Sequence, residues 1–373
     1  MKIAINATSA VYGGGVTYLR ELIKSLSLKD RENEYIVFAS KEKKEVFEGF
    51  ASETLSVSPI DFMGSRILRG LWEQVCLPYH LKKNHVDLLY CPANIIPLCS
   101  SVKTVLMVQN LEPFFNGRGL TRLAVLKTLS LLSARKADAI IFISDYARTL
   151  FKERYGINGK AAHTVYHGRD RRFRPTVSRN DVEAVKKELG IHGDYILYVS
   201  NLYRYKNAIE LVLAFGLLEE GLRNDLRLVI AGEFPDRRYE SRLRRVIETR
   251  GLSADVLLTG NLSYERLPAL YSGCKVFAYP SACENCPNIL IEAMASGAAI
   301  AASRLASMPE ICADAALYFD PHDSLEIKDT IERLLKDPHL RIGLREKSLR
   351  RAALFSWHST ADATLRVFME NGG

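Results

Sequence analysis

The chain lacks any apolar run that approaches the roughly 18 to 20 residues needed to cross a bilayer. It also lacks the features of a secretory leader. The short apolar stretch at residues 1–7 is followed a few residues later by three glycines, with no basic region before it and no small-residue cleavage site after it. We therefore expect a cytoplasmic protein.

Cysteine is scarce and odd in number, with seven residues in 373. An odd count in a long chain favours reduced thiols over a disulfide framework. Cys283 and Cys286 form a C-x-x-C pair, but no second pair of ligands stands at comparable spacing. We interpret both as small packing residues, and we expect no metal site.

Positive charge is in excess, since 51 Lys and Arg residues face 43 Asp and Glu residues and give a net charge of +8. This excess predicts affinity for a polyanion, but it does not choose among nucleic acid, anionic lipid and phosphorylated metabolites. The interleaved aromatic and basic residues of an RNA-binding module are absent, so a basic nucleic-acid-binding protein is a weaker alternative. The Arg-rich stretch 237–250 carries Leu243, Val246 and Ile247 at helical spacing, which predicts a solvated outer face over a buried stripe.

Strand-like apolar runs alternate with amphipathic stretches along the whole chain, which predicts parallel sheets covered by helices. The predicted strands are residues 2–7, 35–40, 86–91, 102–108 and 139–144, then 195–200, 226–232, 256–259, 275–279 and 298–302. The predicted helices are residues 16–26, 67–83, 120–136 and 145–155, then 207–218, 237–250, 264–272, 287–296 and 325–336. A charged stretch at 168–180 with little apolar periodicity predicts the linker between two domains.

The most informative segment is residues 279–310, where two acids flank the start of a helix. Glu284 lies in a loop after a predicted strand, and Glu292 lies in the helix that we predict to begin at Pro287 and to end before Gly297. Because the first amides of a helix have no partner within it, those of Asn288 and Ile289 are predicted to form a cradle for an anion. Both acids would then face one cleft.

Two cations follow another predicted strand end. Arg204 and Lys206 precede the helix at 207–218, where they could neutralise a diphosphate. Ordinary solvation of a loop is the alternative for both residues.

In the first half of the chain, the loops that follow predicted strands carry uncharged candidate residues. Three glycines, Gly13, Gly14 and Gly15, do not form G-x-G-x-x-G, so dinucleotide binding has little support. They predict either a plain tight turn or a turn that lets the backbone approach a phosphate or a sugar. Gln109 and Asn110 can hydrogen-bond sugar hydroxyls, but their amides do not titrate near neutral pH.

The pair Glu284 and Glu292 resembles the Glu-x7-Glu signature of retaining glycosyltransferases of family four, which have the GT-B architecture. Lys206-Asn207 and Pro309-Glu310 resemble further family segments, and the likeness extends over essentially the whole chain. The sequence departs from the family pattern at Ser200-Asn201, at Gln109-Asn110 where many members have His-Asp, and between the two acids, where the usual glycines are missing.

The resemblance implies an α/β protein of two doubly wound, Rossmann-like domains that face a cleft. We expect an acceptor-side domain at 1–172, a nucleotide-sugar-binding domain at 173–354, and a final helix within 355–373 that returns to the first domain. It further implies catalytic roles for Glu284, Lys206 and Arg204. Donor contacts are expected from the residues Glu292, Asn288, Ile289, Gly14, Gly15, Gln109 and Asn110.

The implied activity is retaining transfer of a sugar from a nucleotide-sugar to a saccharide or lipid-linked acceptor, in bacterial surface polysaccharide or glycoconjugate biosynthesis. With no Asp-x-Asp in the chain, we expect neither a metal nor another cofactor. A nucleotide-sugar 2-epimerase of similar architecture is the enzymatic alternative. Residues 63–83 mix cations with apolar side chains, which predicts either peripheral docking on the anionic inner face of a membrane or a core-facing helix with a solvated edge.

Overall fold

The computed structural model describes residues 1–9, 14–115, 121–175 and 178–372. The chain folds into two compact units. The N-terminal unit comprises Met1–Gly168 and Ser356–Gly373, and the C-terminal unit comprises Arg169–Phe355. The sequence predicts these boundaries after residues 172 and 354.

Packing explains why the first boundary falls four residues earlier than predicted. His167 is buried and stacks on Tyr18, with 4.9 Å between the ring centroids. A Cβ atom on Gly168 would lie 2.2 Å from the backbone nitrogen of Trp357, so Gly168 belongs to the tightly packed N-terminal unit. Arg172, by contrast, lies over the ring of Tyr264 in the C-terminal unit, at 4.4 Å from the centroid.

The N-terminal unit is built on a seven-stranded parallel sheet in the order β3-β2-β1-β4-β5-β6-β7. Its strands are β1 Lys2–Ala7, β2 Glu34–Ser40, β3 Leu55–Ile60, β4 Leu88–Cys91, β5 Lys103–Val108, β6 Ala139–Phe142 and β7 Ala161–Thr164. The central strands are buried on both faces, as the apolar runs of the sequence predicted.

Helices cover both faces of this sheet and supply the rest of its core. They are α1 Gly14–Lys29, α2 Glu45–Glu48, α3 Arg66–Leu71, α4 Leu77–Lys83, α5 Glu112–Phe115, α6 Thr121–Lys136 and α7 Asp145–Tyr155. A π-helical segment, Trp72–Cys76, joins α3 to α4, so the single helix predicted at 67–83 contains a change of helical pitch. The final helix of the chain, Trp357–Asn371, packs against α1 in this unit.

The C-terminal unit contains a six-stranded parallel sheet in the order β10-β9-β8-β11-β12-β13. Its strands are β8 Asp194–Val199, β9 Leu226–Ala231, β10 Val256–Gly260, β11 Val276–Tyr279, β12 Ile300–Ser303 and β13 Ala316–Phe319. Its helices are α8 Arg179–Leu189, α9 Ala208–Gly216, α10 Glu220–Arg223, α11 Arg237–Thr249, α12 Leu267–Gly273, α13 Asn288–Ala295, α14 Met308–Cys312, α15 Ser324–Lys336 and α16 Pro338–Ala352. The last helix of the chain, α17 Trp357–Asn371, belongs to the N-terminal unit.

The prediction of two doubly wound α/β units is confirmed, with local corrections. The strands β3, β7 and β13, the helices α8 and α16 and the short helices α2, α5, α10 and α14 had no predicted counterpart. The helix predicted at 264–272 begins only at Leu267. The predicted buried stripe of the Arg-rich helix α11 is confirmed, because Leu243 and Ile247 are buried in it. Gly13 and Leu120, which carried two of the predictions, lie outside the described residues.

Across the described part of the chain, no helix is both long and apolar enough to cross a membrane.

The carboxyl ends of β8 and β9 approach each other closely at Gly232. Its φ of +146° is a conformation that L side chains rarely adopt, and an added Cβ atom would lie 1.7 Å from the carbonyl oxygen of Ser200. The turn after β9 therefore requires glycine.

We predict that Gly232→Ala lowers the stability of the protein by more than about 3 kcal/mol, because it adds both backbone strain and a backbone clash. Thermal unfolding followed by circular dichroism would measure the loss. Gly221→Ala is the matched control, since a Cβ atom there meets nothing within 4 Å. Equal melting temperatures for the two variants would contradict the prediction.

Candidate functional site

Two loops at the centre of the second sheet are tied to each other. They follow β8 and β11, which are neighbouring parallel strands and therefore end at the same edge of the sheet. The amide of Ala282 donates to the carbonyl of Tyr205 at 2.9 Å, and the side-chain amide of Asn207 donates to the carbonyl of Pro280 at 3.1 Å. Asn207 adopts a left-handed φ of 54°, which Asn tolerates better than most residues.

Lys206 extends from the first of these loops and is buried, with 8% of its surface exposed. Its Nζ forms an ion pair with Oε1 of Glu284 and lies 3.3 Å from the hydroxyl of Tyr279. The hydroxyl of Tyr198 donates to the carbonyl of Lys206 at 3.0 Å, which fixes the backbone of the turn. The ammonium is therefore held at the carboxyl end of the sheet by the last residue of β11 and by the loop that follows it.

Glu284 is the acidic partner of this network and comes from the second loop. The hydroxyl of Tyr279 donates to the same Oε1 atom that accepts from Lys206. Burial, reinforced by the Glu284 charge, raises the pKa of Tyr279 well above its ordinary value, so this tyrosine keeps its proton. Ser307 donates to the backbone carbonyl of Glu284 at 3.3 Å, next to Ala306 with its left-handed φ of 54°.

Arg204 lies in the same 3-10 turn as Lys206 but is exposed. Among the described contacts, Lys206 pairs with Glu284 and Arg204 does not. The catalytic role predicted for Arg204 stays a prediction.

Glu292 lies in helix α13 and is buried, with 7% of its surface exposed. Its carboxylate accepts from the hydroxyl of Tyr264 at 2.7 Å and, less closely, from that of Tyr271 at 3.4 Å. Burial raises the pKa of Glu292 to about 7, although the two tyrosine hydrogen bonds act in the opposite direction. The two acids of the signature thus have separate hydrogen-bond partners.

The start of α13 differs by one residue from the prediction. Pro287 occupies the cap position, and its carbonyl accepts from the amides of Leu290 and Ile291. The amides of Asn288 and Ile289 therefore precede the hydrogen-bond ladder of the helix, where the anion cradle was predicted. Gly297, with a left-handed φ of 71°, follows the C-terminal end of the helix.

In the N-terminal unit, Asn94 fixes the loop that carries Gln109 and Asn110. Its Oδ1 accepts from the backbone amides of both residues, at 2.8 and 3.0 Å, and its Nδ2 donates to the carbonyl of Asn110 at 2.7 Å. This loop and Gly15 line a cavity of about 270 Å³. The structure therefore brings together three of the four predicted donor contacts of this unit; Gly14, the fourth, is the first residue of α1.

Sequence reasoning missed Asn94 and Tyr264. Asn94 comes three residues after the end of β4 and has a left-handed φ of 63°, so its position in the loop after a strand was an available signal. Tyr264 contacts Glu292 across 28 positions of the chain, and no local pattern marks that contact.

Among the residues that the structure describes, neither Cys283 nor Cys286 takes part in a disulfide; the first is half-buried and the second is buried. Within the described residues, no group of three or more His, Cys, Asp and Glu side chains could hold a metal ion.

Two family models match the chain, one to each unit. The model of glycosyl transferases group 1 matches residues 181–351, and that of glycosyltransferase family 4 matches residues 12–173. The chain belongs to the group 1, family 4 glycosyltransferases. Glu284, Glu292 and Lys206 all lie in the region that the group 1 model matches.

Curated relatives of this glycosyltransferase family resemble only part of the chain. WbdA of Escherichia coli, a serotype-specific mannosyltransferase, is 29% identical over 282 residues, which are 74% of this chain and 34% of that protein. The O-antigen chain mannosyltransferase B of E. coli is 30% identical over 184 residues, which are 49% of this chain and 47% of that protein. The chain thus spans less than half the length of either relative.

Solved structures of similar fold cover nearly the whole chain. Anabaena HepE in complex with UDP and glucose gives a TM-score of 0.78 at 18% identity, over 99% of this chain and all of that one. WaaG, a glycosyltransferase involved in lipopolysaccharide biosynthesis, gives 0.76 at 15% identity, over 98% of this chain and 99% of that one. These similarities establish the fold.

The raised pKa of Glu292 predicts how stability changes with pH. The pKa is 4.5 for the free group and about 7 in the folded protein, so between these values the folded state binds more protons than the unfolded state. Stability contributed by this residue therefore falls as the pH rises from about 5 to 8, by up to about 3 kcal/mol.

Glu292→Gln removes this titration. We expect the variant to gain stability relative to the unmodified protein between pH 5 and pH 8, as measured by urea unfolding at both values. Glu346→Gln, at an exposed glutamate, is the control and should show no such gain. A Glu292→Gln difference that stays constant with pH would show that Glu292 does not titrate in this range.

Proposed function

We propose that this chain is a retaining glycosyltransferase that moves a sugar from a nucleotide-sugar donor to a saccharide or lipid-linked acceptor. The observation that carries the proposal is the buried Lys206 and Glu284 pair at the carboxyl ends of β8 and β11, with Glu292 on the helix that follows. Family membership and the arrangement of these three residues support the same activity.

Lys206 is the proposed partner of the donor diphosphate. A buried ammonium interacts more strongly with a developing negative charge than an exposed one, because little water screens it. Glu284 and Tyr279 hold the ammonium in place before any ligand binds. Lys206 would therefore act as a preorganised stabiliser of the departing diphosphate, together with the amides of Asn288 and Ile289 and with Arg204.

Glu292 is the proposed partner of the ribose. A carboxylate that accepts from two vicinal hydroxyls makes a strong and directional contact. The residue must be ionised for this purpose, and its pKa of about 7 makes that condition dependent on pH near neutrality. Glu284 is the proposed neighbour of the donor sugar, and the donor contacts expected of Gln109 and Asn110 stay predictions.

In the proposed reaction, the bond between the anomeric carbon and the diphosphate oxygen breaks, and the acceptor hydroxyl bonds to that carbon on the same face. The hydroxyl proton passes to the departing diphosphate, so no enzyme nucleophile is needed and the configuration is retained. Holding the acceptor and the leaving group together would supply most of the rate. We propose that Lys206 and the helix amides replace a divalent cation in this role.

The similar proteins indicate which biosynthetic process and which sugar donors to examine first. WbdA and mannosyltransferase B are mannosyltransferases, the latter of O-antigen chains, and the HepE structures contain UDP and glucose or UDP-glucose. We propose hexosyl transfer in bacterial surface polysaccharide biosynthesis, with mannosyl and glucosyl nucleotides as the first donors to examine.

The surface of residues 63–83 supports docking on an anionic membrane. Leu77 and Leu81 of this segment are buried. The large apolar side chains that residues 63–83 expose are Met63 at 83%, Ile67 at 76%, Leu68 at 41%, Leu71 at 57%, Val75 at 68% and Tyr79 at 65%. The cations Arg66, Lys82 and Lys83 are exposed on the same segment, and this combination suits an interface of acyl chains and anionic headgroups.

The function is tested first at Lys206. A donor is identified by thermal stabilisation with a panel of UDP-, GDP-, dTDP- and ADP-sugars, because a bound ligand stabilises the folded state. Lys206→Ala should then lower the release of nucleoside diphosphate by roughly 100-fold or more, the usual effect of losing one preorganised charge. Lys347→Ala, which removes an exposed lysine, should retain full activity. A folded Lys206→Ala protein with near-normal turnover would remove Lys206 from the mechanism.

Membrane docking is tested by co-sedimentation with liposomes. We expect binding to vesicles that contain anionic lipid, weaker binding at higher salt, and loss of binding in Leu71→Glu because a charge enters the apolar surface. Ile342→Glu, which changes an exposed apolar residue of the C-terminal unit, should bind as the unmodified protein does. Indifference to lipid charge would favour an acceptor in solution.

A further inference from the structure

The carboxylate of Glu292 is covered in this structure by a residue of the chain itself. Tyr264 is half-buried, and its hydroxyl donates to Oε1 of Glu292 at 2.7 Å. The other tyrosine at this carboxylate, Tyr271, is fully buried and donates to Oε2 at the longer distance of 3.4 Å. Of the two hydroxyls, that of Tyr264 belongs to the more exposed side chain.

The ring of Tyr264 is held from its other side by Arg172. The guanidinium lies over the ring at 4.4 Å from the centroid, which is a favourable cation–π distance. Asp170 accepts from Nη2 of Arg172 at 2.8 Å, and Glu265 lies 3.6 Å from its Nη1. Arg172 is therefore fixed by two acids while it stacks on the tyrosine.

We propose that Tyr264 occupies, in the ligand-free protein, the oxygen of Glu292 that a ribose hydroxyl takes when a nucleotide binds. Arg172 is a positioning residue that holds Tyr264 in this place. The inference rests on the proposed function in one respect, which is that Glu292 accepts hydrogen bonds from the ribose.

The exchange has a physical advantage. A buried carboxylate without a hydrogen-bond donor is costly, and the tyrosine hydroxyl removes that cost while no ligand is present. A nucleotide must displace the hydroxyl, so the free energy of the Tyr264 contact is subtracted from the free energy of nucleotide binding. Tyr264 thereby sets donor affinity without contributing a catalytic group.

Arg172 lies three residues after Arg169, the first residue of the C-terminal unit. The segment that enters this unit therefore also holds Tyr264 over Glu292. Any change in that segment that moves Arg172 would alter the competition at Glu292.

Calorimetric titration with UDP and GDP tests the proposal. Tyr264→Phe keeps the ring but removes the competing hydroxyl, so we expect binding tighter by roughly tenfold or more, the equivalent of one hydrogen bond to a charged group. The gain should disappear with the 2′,3′-dideoxy forms of the same nucleotides, which lack the ribose diol. Tyr271→Phe is the matched control, since it removes the other hydroxyl, and it should not tighten binding.

Arg172→Gln tests the positioning role. As a single substitution it should tighten the binding of UDP or GDP. When it is added to Tyr264→Phe it should leave binding unchanged, because Arg172 acts only through the hydroxyl of Tyr264. Additive effects of the two substitutions would exclude that route.

The outcomes separate the two proposals. Absence of binding by any ribonucleotide to the unmodified protein would overturn the proposed function. Binding that Tyr264→Phe leaves unchanged or weakens would overturn the displacement of Tyr264 alone, and the weakened case would make Tyr264 a ligand of the nucleotide.

Discussion

The ion pair between Lys206 and Glu284 is the contact on which the candidate site depends. Two charged groups removed from water are each costly, and the pair is tolerated only because each charge has a partner and further hydrogen bonds. The pair joins the loops after β8 and β11, the two central strands of the C-terminal sheet. Loss of either partner would leave a buried charge unpaired, so the geometry of both loops is fixed by the same interaction that places the catalytic candidates.

Much of this site could be predicted because its elements are local. Apolar runs mark the strands, and Pro287 and Gly297 mark the ends of the helix that carries Glu292. Parallel strands end at one edge of a sheet, so residues that follow them meet there. The structure places Lys206 beside Glu284, which followed from that rule, although the ion pair itself did not.

Other features depend on contacts that no short stretch of sequence contains. Strand β7, with the sequence Ala-Ala-His-Thr, lies at the edge of its sheet and is half-exposed, so it carries no apolar run. The domain boundary falls at Gly168 because Trp357, almost 190 positions later, leaves no room for a side chain there. Of the two tyrosines that contact Glu292, Tyr271 lies in helix α12 and Tyr264 lies just before that helix. Only the packing of the unit brings them to Glu292.

The close packing at the domain boundary also shows how the chain passes from the N-terminal unit to the C-terminal unit and back. Gly168 abuts the backbone of Ser356 and Trp357, and one residue further on each side the amide of Arg169 donates to the carbonyl of Phe355 at 3.2 Å. In the order of the chain, the C-terminal unit is therefore an insertion between the two segments of the N-terminal unit, and the two ends of the insertion are adjacent. Adjacent ends of this kind are what allows one domain to be inserted into another without separating the flanking residues of the host fold.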